Sequence, residues 1–120
     1  HLARFTAALR RRRDAMAEAL ARACPSLRFQ IPEGGLYIWA RLPAPVGAAD
    51  LQARAAALGV TIRAGDVFFP EGGQDRHIRL CFAAPPAERI VEGVQRLGRA
   101  LDEAMAAREP VASNAGYAAV

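Results

Sequence analysis

The sequence predicts an α+β fold, a two-layer sandwich in which a small, mostly antiparallel sheet carries its helices on one face. Two patterns indicate this fold. Three segments repeat apolar residues at three- and four-residue spacing, the period of a helix, and the four short runs between them are typical of strands. The order is α-ββ-α-ββ-α. Because the neighbouring strands are short and adjacent in the chain, we expect them to pair antiparallel.

The first helix is expected over residues 2–23, and Pro25 ends it. Its apolar residues form a single stripe, and Arg12 and Arg13 must lie close to that stripe. Either their aliphatic stems follow the edge of the core, or they contact a part of a larger protein. The second interpretation predicts an exposed apolar or arginine-rich patch. The stripe consists of Leu2, Phe5, Leu9, Met16 and Leu20.

The first pair of strands follows this helix. Residues 27–31 alternate between apolar and polar, which predicts a half-buried strand with Ile31 on its apolar side. Residues 36–42 are apolar on both faces, so we expect a central strand that is covered on both sides. Tyr37 and Trp39 are expected on opposite faces of this strand, with one of them in the core.

The second half of the chain again has a helix before a pair of strands. A helix is expected over residues 48–58, a third strand over 60–63, and a loop with glycine and proline over 64–76. A fourth strand and a last helix follow, and the helix opens near Pro86. Their expected core-facing residues are Ile78, Leu80 and Phe82 in the strand and Ile90, Val94, Leu97, Leu101 and Met105 in the helix.

Composition limits the class of protein. The chain has 120 residues, of which 52% are hydrophobic, so we expect one domain over residues 1–108 and a tail over 109–120. No apolar run reaches the ~20 residues of a membrane span, and no signal peptide is recognisable. Two cysteines cannot form a disulfide framework, so the cytoplasm is the expected compartment. A first residue other than methionine indicates a piece of a longer protein.

The charged residues exclude one kind of chemistry. All 16 basic residues are arginine, against 12 acidic residues, which gives a formal net charge of +4. The arginines are spread along the chain, so we expect solvated helix faces and no nucleic-acid partner. Because the chain has no lysine, it cannot form a Schiff base through an ε-amine.

Arg79 is the most informative candidate for a functional residue. It lies in the middle of a predicted strand, where a charge is disfavoured unless it is paired or faces a cleft. With the small residues Cys81 and Ala83 on the same face, its guanidinium is suited to bind a carboxylate through two parallel hydrogen bonds. A surface arginine with a partner explains the same pattern, so both interpretations stay open. Cys81 is expected to be buried and His77 at the surface, and no metal-ligand spacing occurs.

Five runs of the sequence carry a resemblance to a known family: Gly34–Trp39, Gly59–Val60, Arg63–Phe69, His77–Ala83 and Ile90–Leu97. In this order they resemble the C-terminal small domain of class I/II aminotransferases, which are pyridoxal-phosphate enzymes of fold type I. The resemblance covers residues 1–108 and is greatest to the branch that holds 2-aminoadipate and broad-specificity aminotransferases. One departure is Ala64, where the family usually has proline.

The resemblance implies a role for two residues of this chain. It implies that Arg79 binds the α-carboxylate of the substrate, in the cleft between this small domain and a large domain of the same polypeptide. It also implies that Phe68 lies near the mouth of the active site as a further substrate contact.

The resemblance also implies what the rest of the protein does. The large domain would hold pyridoxal 5'-phosphate through its own lysine. The parent protein would be a homodimeric, cytoplasmic enzyme that moves an amino group between an amino acid and a 2-oxo acid. The isolated chain would be inactive.

Two other classes remain open from the sequence. MocR-type transcription regulators carry the same aminotransferase-like domain behind a DNA-binding winged helix, as an effector domain. A free-standing α+β ligand-binding module has the same predicted topology.

Overall fold

A computed structural model of the chain describes residues 6–65 and 76–107. In these ranges the order of elements is the predicted α-ββ-α-ββ-α. The elements are α1 (Ala7–Ala23), β1 (Arg28–Phe29), β2 (Tyr37–Arg41), α2 (Ala48–Ala57), β3 (Arg63–Ala64), β4 (His77–Cys81) and α3 (Ala87–Ala107). No helix within these ranges is both long enough and apolar enough to cross a lipid bilayer.

The four strands form one sheet in the order β1-β2-β4-β3, and every neighbouring pair is antiparallel. This confirms the predicted α+β fold. The two five-residue strands, β2 and β4, are central, and the two-residue strands β1 and β3 lie at the edges. The centre of the sheet is therefore its most regular part, and it positions the side chains discussed below.

The hydrophobic core lies on one side of the sheet. Ile38 and Ala40 of β2 and Ile78 of β4 are fully buried, and they belong to the same core cluster as the buried residues of all three helices. On the other side, Trp39 is 40% exposed. The prediction that β2 is covered on both faces is therefore wrong for the described residues. The reason is that the helices pack on one face only, as the two-layer prediction requires.

Helix α1 begins later than predicted. Thr6 has an extended backbone, and its hydroxyl accepts a hydrogen bond of 3.1 Å from the Leu9 N–H, which satisfies one of the free donors at the helix start. Residues 1–5 lie outside the described ranges. The buried face of α1 consists of Met16, Ala17, Ala19 and Leu20.

Helices α1 and α3 approach each other closely. A Cβ atom added to Gly98 of α3 would lie 2.7 Å from the carbonyl oxygen of Ala23, so glycine allows this approach. Just after α1, the thiol of buried Cys24 lies 3.9 Å from the carbonyl oxygen of Val94 and donates to it. The C-terminal end of α1 is therefore held against the middle of α3.

The edge strands differ most from their predicted extents. Strand β1 ends at Phe29, and Ile31, which was expected on the apolar side, is 56% exposed. Strand β3 is Arg63–Ala64 instead of residues 60–63. The Ala64 N–H donates to the side-chain oxygen of Gln52 in α2 at 2.8 Å, so a helix side chain satisfies this backbone donor.

Candidate functional site

The outer face of the sheet is the side that no described helix covers. Side chains two apart on a strand share a face, and residues directly opposite each other on neighbouring strands do too. The register therefore places eight strand residues on this outer face. They are Arg28, Tyr37, Trp39, Arg41, Arg63, His77, Arg79 and Cys81.

Arg79 lies at the centre of the outer face. On one side it is opposite Trp39 of β2, and on the other it is opposite Arg63 of β3. Its guanidinium carbon lies 3.9 Å from the centroid of the Tyr37 ring, a cation–π contact. The side chain is half-buried. The ring therefore covers one face of the guanidinium, whose N–H donors project in its own plane.

The outer face is strongly basic. Four of its eight residues are arginines and none is acidic. Arg28 lies directly opposite Arg41, and Arg63 directly opposite Arg79. Like charges in directly opposed positions repel and destabilise a sheet. An anion on this face would relieve that repulsion, so its electrostatics favour a negatively charged ligand.

Of the two predicted site residues, the structure describes only Arg79. Arg79 faces away from the core on a central strand, as the alternation predicted. Phe68, the other predicted substrate contact, lies outside the described residues. The prediction that Cys81 is buried is wrong: it is exposed, because alternation places it with Arg79 on the outer face.

Three further residues of the outer face differ from what was predicted for them. Tyr37 and Trp39 lie on the same face, because residues two apart on a strand project the same way. His77 is half-buried, and its Nδ1 is buried with no hydrogen-bond partner among the residues described. The contact of Tyr37 with Arg79 was missed in the sequence, although correct alternation and an antiparallel β2–β4 pair would have placed both on one face.

Arg12 and Arg13 of α1 form hydrogen bonds with other parts of the chain. The Arg12 guanidinium donates to the carbonyl oxygen of Ala83 at 2.7 Å. Arg13 donates to the carbonyl oxygen of Pro32 at 3.2 Å and forms an ion pair of 2.9 Å with Asp14. These contacts join α1 to the segments that flank the central strands, which favours the core-edge interpretation of the two arginines.

Comparisons with known proteins show which class of protein this chain is similar to. No family model matches the chain. It is 40% identical over 101 residues to 2-aminoadipate transaminase of Thermus thermophilus, a match that covers 83% of this chain and 25% of that protein. It is 36% identical over 101 residues to the HTH-type transcriptional regulator TauR of Rhodobacter capsulatus, covering 83% of this chain and 21% of that protein.

A solved structure agrees with these matches. LysN, the alpha-aminoadipate aminotransferase of Thermus thermophilus in complex with N-(5'-phosphopyridoxyl)-L-leucine, matches with a TM-score of 0.78 and 38% identity. The match covers 82% of this chain and 26% of that one. The chain belongs to the class I/II, fold type I aminotransferase family, as its C-terminal small domain. It spans about a quarter (25%) of the length of the curated aminotransferases it matches.

The family implies pyridoxal phosphate, and the residues of this chain do not fit a site for it. The sequence has no lysine, so the chain supplies no ε-amine for a Schiff base with the cofactor. The four arginines of the outer face suit a carboxylate or another small anion. No group of three or more metal-ligating side chains occurs in residues 6–65 and 76–107.

Proposed function

We propose that this chain is the small domain of a pyridoxal-phosphate-dependent aminotransferase that moves an amino group between an amino acid and a 2-oxo acid. In this proposal Arg79 binds the α-carboxylate of the substrate. The cofactor belongs to a large domain of the same polypeptide, the enzyme is a cytoplasmic homodimer, and the chain alone is inactive. The observation that carries the proposal is the position of Arg79 at the centre of a basic, uncovered sheet face in a member of this family.

The surroundings of Arg79 support this role. A guanidinium binds a carboxylate best through two parallel N–H donors in its own plane. The Tyr37 ring lies 3.9 Å from the guanidinium carbon and limits the directions that the plane can take. None of the eight outer-face residues is a carboxylate that could compete with the substrate from a neighbouring strand position. Arg79 therefore orients the substrate, and no proton transfer is assigned to it.

The test is the Arg79→Ala variant in the full-length protein. We expect kcat/KM for the amino donor to fall by roughly 30-fold to several thousand-fold, because losing one partner of a desolvated charge pair costs about 2–5 kcal/mol. Arg79→Lys should recover only part of this loss, since an ammonium cannot form two parallel hydrogen bonds in a fixed plane. Affinity for the cofactor should change much less.

A matched control separates binding from folding. Arg99 is exposed on α3, away from the outer face, so Arg99→Ala removes the same charge without touching the site. We expect it to leave kcat/KM unchanged within about twofold, since an exposed charge far from the substrate contributes little. If Arg79→Ala lowers the melting temperature but leaves kcat/KM normal, Arg79 is a structural residue of the sheet and the proposal is wrong.

A second candidate function is the effector domain of a MocR-type transcription regulator, and the 36% identity to TauR favours it. Arg79 would then bind the carboxylate of an effector. The full-length protein distinguishes the two functions. An aminotransferase converts an amino acid in the presence of a 2-oxo acid, whereas a regulator binds a specific DNA fragment with an affinity that the effector changes.

A further inference from the structure

A groove that we call the arginine groove lies at the end of the sheet, where β1, β2 and the start of β4 meet. Three arginines line it, Arg28, Arg41 and Arg76, together with Ser26. It encloses about 770 Å³, and none of the residues that line it is acidic. Arg79 does not line it. The arginine groove therefore shares Arg28 and Arg41 with the outer face but does not include Arg79, the carboxylate-binding residue proposed above.

The backbone ladder fixes the positions of the three arginines. Arg28 of β1 is directly opposite Arg41 of β2. The N–H of Leu42, the residue after Arg41, donates to the carbonyl oxygen of Arg76 at 2.6 Å. The three residues thus come from three neighbouring segments, and each is anchored by strand pairing or by a backbone hydrogen bond at its side. The backbone hydrogen bonds of the sheet therefore hold the three segments of the groove side by side.

The arginine groove has an unbalanced charge. Within residues 6–65 and 76–107, none of the three guanidiniums forms an ion pair or a hydrogen bond with another residue. The Nε atom of Arg76 is buried and has no hydrogen-bond partner there. A buried donor without a partner destabilises a protein, and opposed like charges add to that cost. An anion in the groove would reduce the repulsion between the guanidiniums.

We propose that the arginine groove binds the phosphate group of a small molecule. Three guanidiniums carry more positive charge than a single carboxylate can balance. A phosphate dianion brings two negative charges and several acceptor oxygens, so it can accept from more than one of them. The hydroxyl of Ser26 supplies a further donor at the wall of the groove. The proposal does not depend on the function of Arg79.

The test is a titration of the 120-residue chain with inorganic phosphate, followed by NMR of the arginine Nε–H groups at constant ionic strength set by chloride. We expect saturable shifts of the Arg28, Arg41 and Arg76 signals and at least fivefold smaller shifts of the others. Phenyl phosphate tests a phosphate monoester as the source, and should bind at least as well as the free ion. Acetate is the third probe and should bind at least tenfold more weakly. Equal binding of acetate would make the ligand a carboxylate and overturn the proposal.

Variants with the same loss of charge complete the test. We expect Arg41→Gln to weaken phosphate binding at least tenfold, and Arg99→Gln, on the exposed side of α3, to change it less than twofold. Arg28→Gln on the edge strand is the second variant, in case Arg41→Gln fails to fold, and should weaken binding at least fivefold. Equal losses in groove and control variants, or shifts that rise linearly without saturation, would show that only general electrostatic attraction is present.

Discussion

The guanidinium carbon of Arg79 and the ring centroid of Tyr37 are 3.9 Å apart, although the two residues are not opposite each other in the sheet. Tyr37 is opposite Cys81, and Arg79 is opposite Trp39. The contact is therefore diagonal, and it depends on the register between β2 and β4. A slip of one residue would send every side chain of the moved strand to the other face and remove the contact.

The ring of Tyr37 is expected to affect substrate binding through Arg79. In the full-length protein, Tyr37→Leu should raise KM for the amino donor roughly 2- to 30-fold, because a cation–π contact contributes about 0.5–2 kcal/mol. The maximal rate should change less, since the ring only orients the guanidinium. Steady-state kinetics with several amino-acid concentrations separates the two parameters.

Tyr37→Phe is the control for this prediction. It keeps the ring and removes the hydroxyl, so KM should stay within about twofold of the wild-type value if the ring alone matters. Equal effects of Tyr37→Phe and Tyr37→Leu would assign the role to the hydroxyl. Unchanged kinetics in both variants would show that Arg79 needs no support from this residue.

Two glycines of α3 are expected to respond in opposite directions to alanine. Gly98→Ala places a Cβ 2.7 Å from the Ala23 carbonyl oxygen, and should destabilise the fold by about 1–3 kcal/mol as the helices move apart. Gly93 has nothing within 4 Å of the added Cβ, so Gly93→Ala should stabilise the fold by about 0.5–1 kcal/mol through the better helix propensity of alanine. Thermal unfolding followed by circular dichroism measures both. A Gly98→Ala variant as stable as Gly93→Ala would contradict the close approach of α1 and α3.

The two cysteines should differ in reactivity. Cys81 is exposed and Cys24 is buried, so a thiol reagent at pH 8 should modify Cys81 in the folded chain and both residues after unfolding. Burial, with the negative charge of Asp102 as a smaller cause, raises the pKa of Cys24 from 9.0 to about 12. Mass spectrometry of the modified peptides identifies the site. Modification of Cys24 at the same rate as Cys81 would contradict its burial.

The raised pKa of Cys24 also predicts a dependence of stability on pH. Between pH 9 and about 12 the folded state keeps the thiol proton that the unfolded state releases. The unfolded state then binds fewer protons, so the free energy of unfolding should fall as the pH rises through this window. Urea unfolding at pH 8 and pH 10.5 measures the loss. Cys24→Ala should show a smaller loss than Cys81→Ser, which keeps the buried thiol.

Local patterns predicted the fold well where a strand is long and one of its faces is buried. In β4 and the residue after it, the alternation placed Ile78, Leu80 and Phe82 in the core, and all three are buried. The same alternation predicted that Arg79 faces away from them. The order of elements followed from the change between strand and helix periods, which needs no knowledge of long-range contacts.

Features that depend on pairing between distant segments could not be predicted from the sequence. Ile31 continues the alternation of its strand, but β1 pairs with β2 only at Arg28 and Phe29, so it lies beyond the ladder and is exposed. In α3, repeated steps of four residues rotate away from the core. Ala104 is therefore buried in the last turn, where Met105 was expected. The residues around Arg79 likewise depend on how β4 pairs with β2 and β3, and the sequence of one strand does not determine that register.

The contact between α1 and α3 has a consequence for synthesis on the ribosome. The Cys24 thiol and the Val94 carbonyl oxygen are 70 positions apart, and the whole sheet lies between the two helices in the chain. The apolar side chains of Met16 and Leu20 are translated well before their packing partners in α3. The core can therefore close only after α3 has been translated, and a nascent chain that stops before α3 leaves the apolar face of α1 exposed.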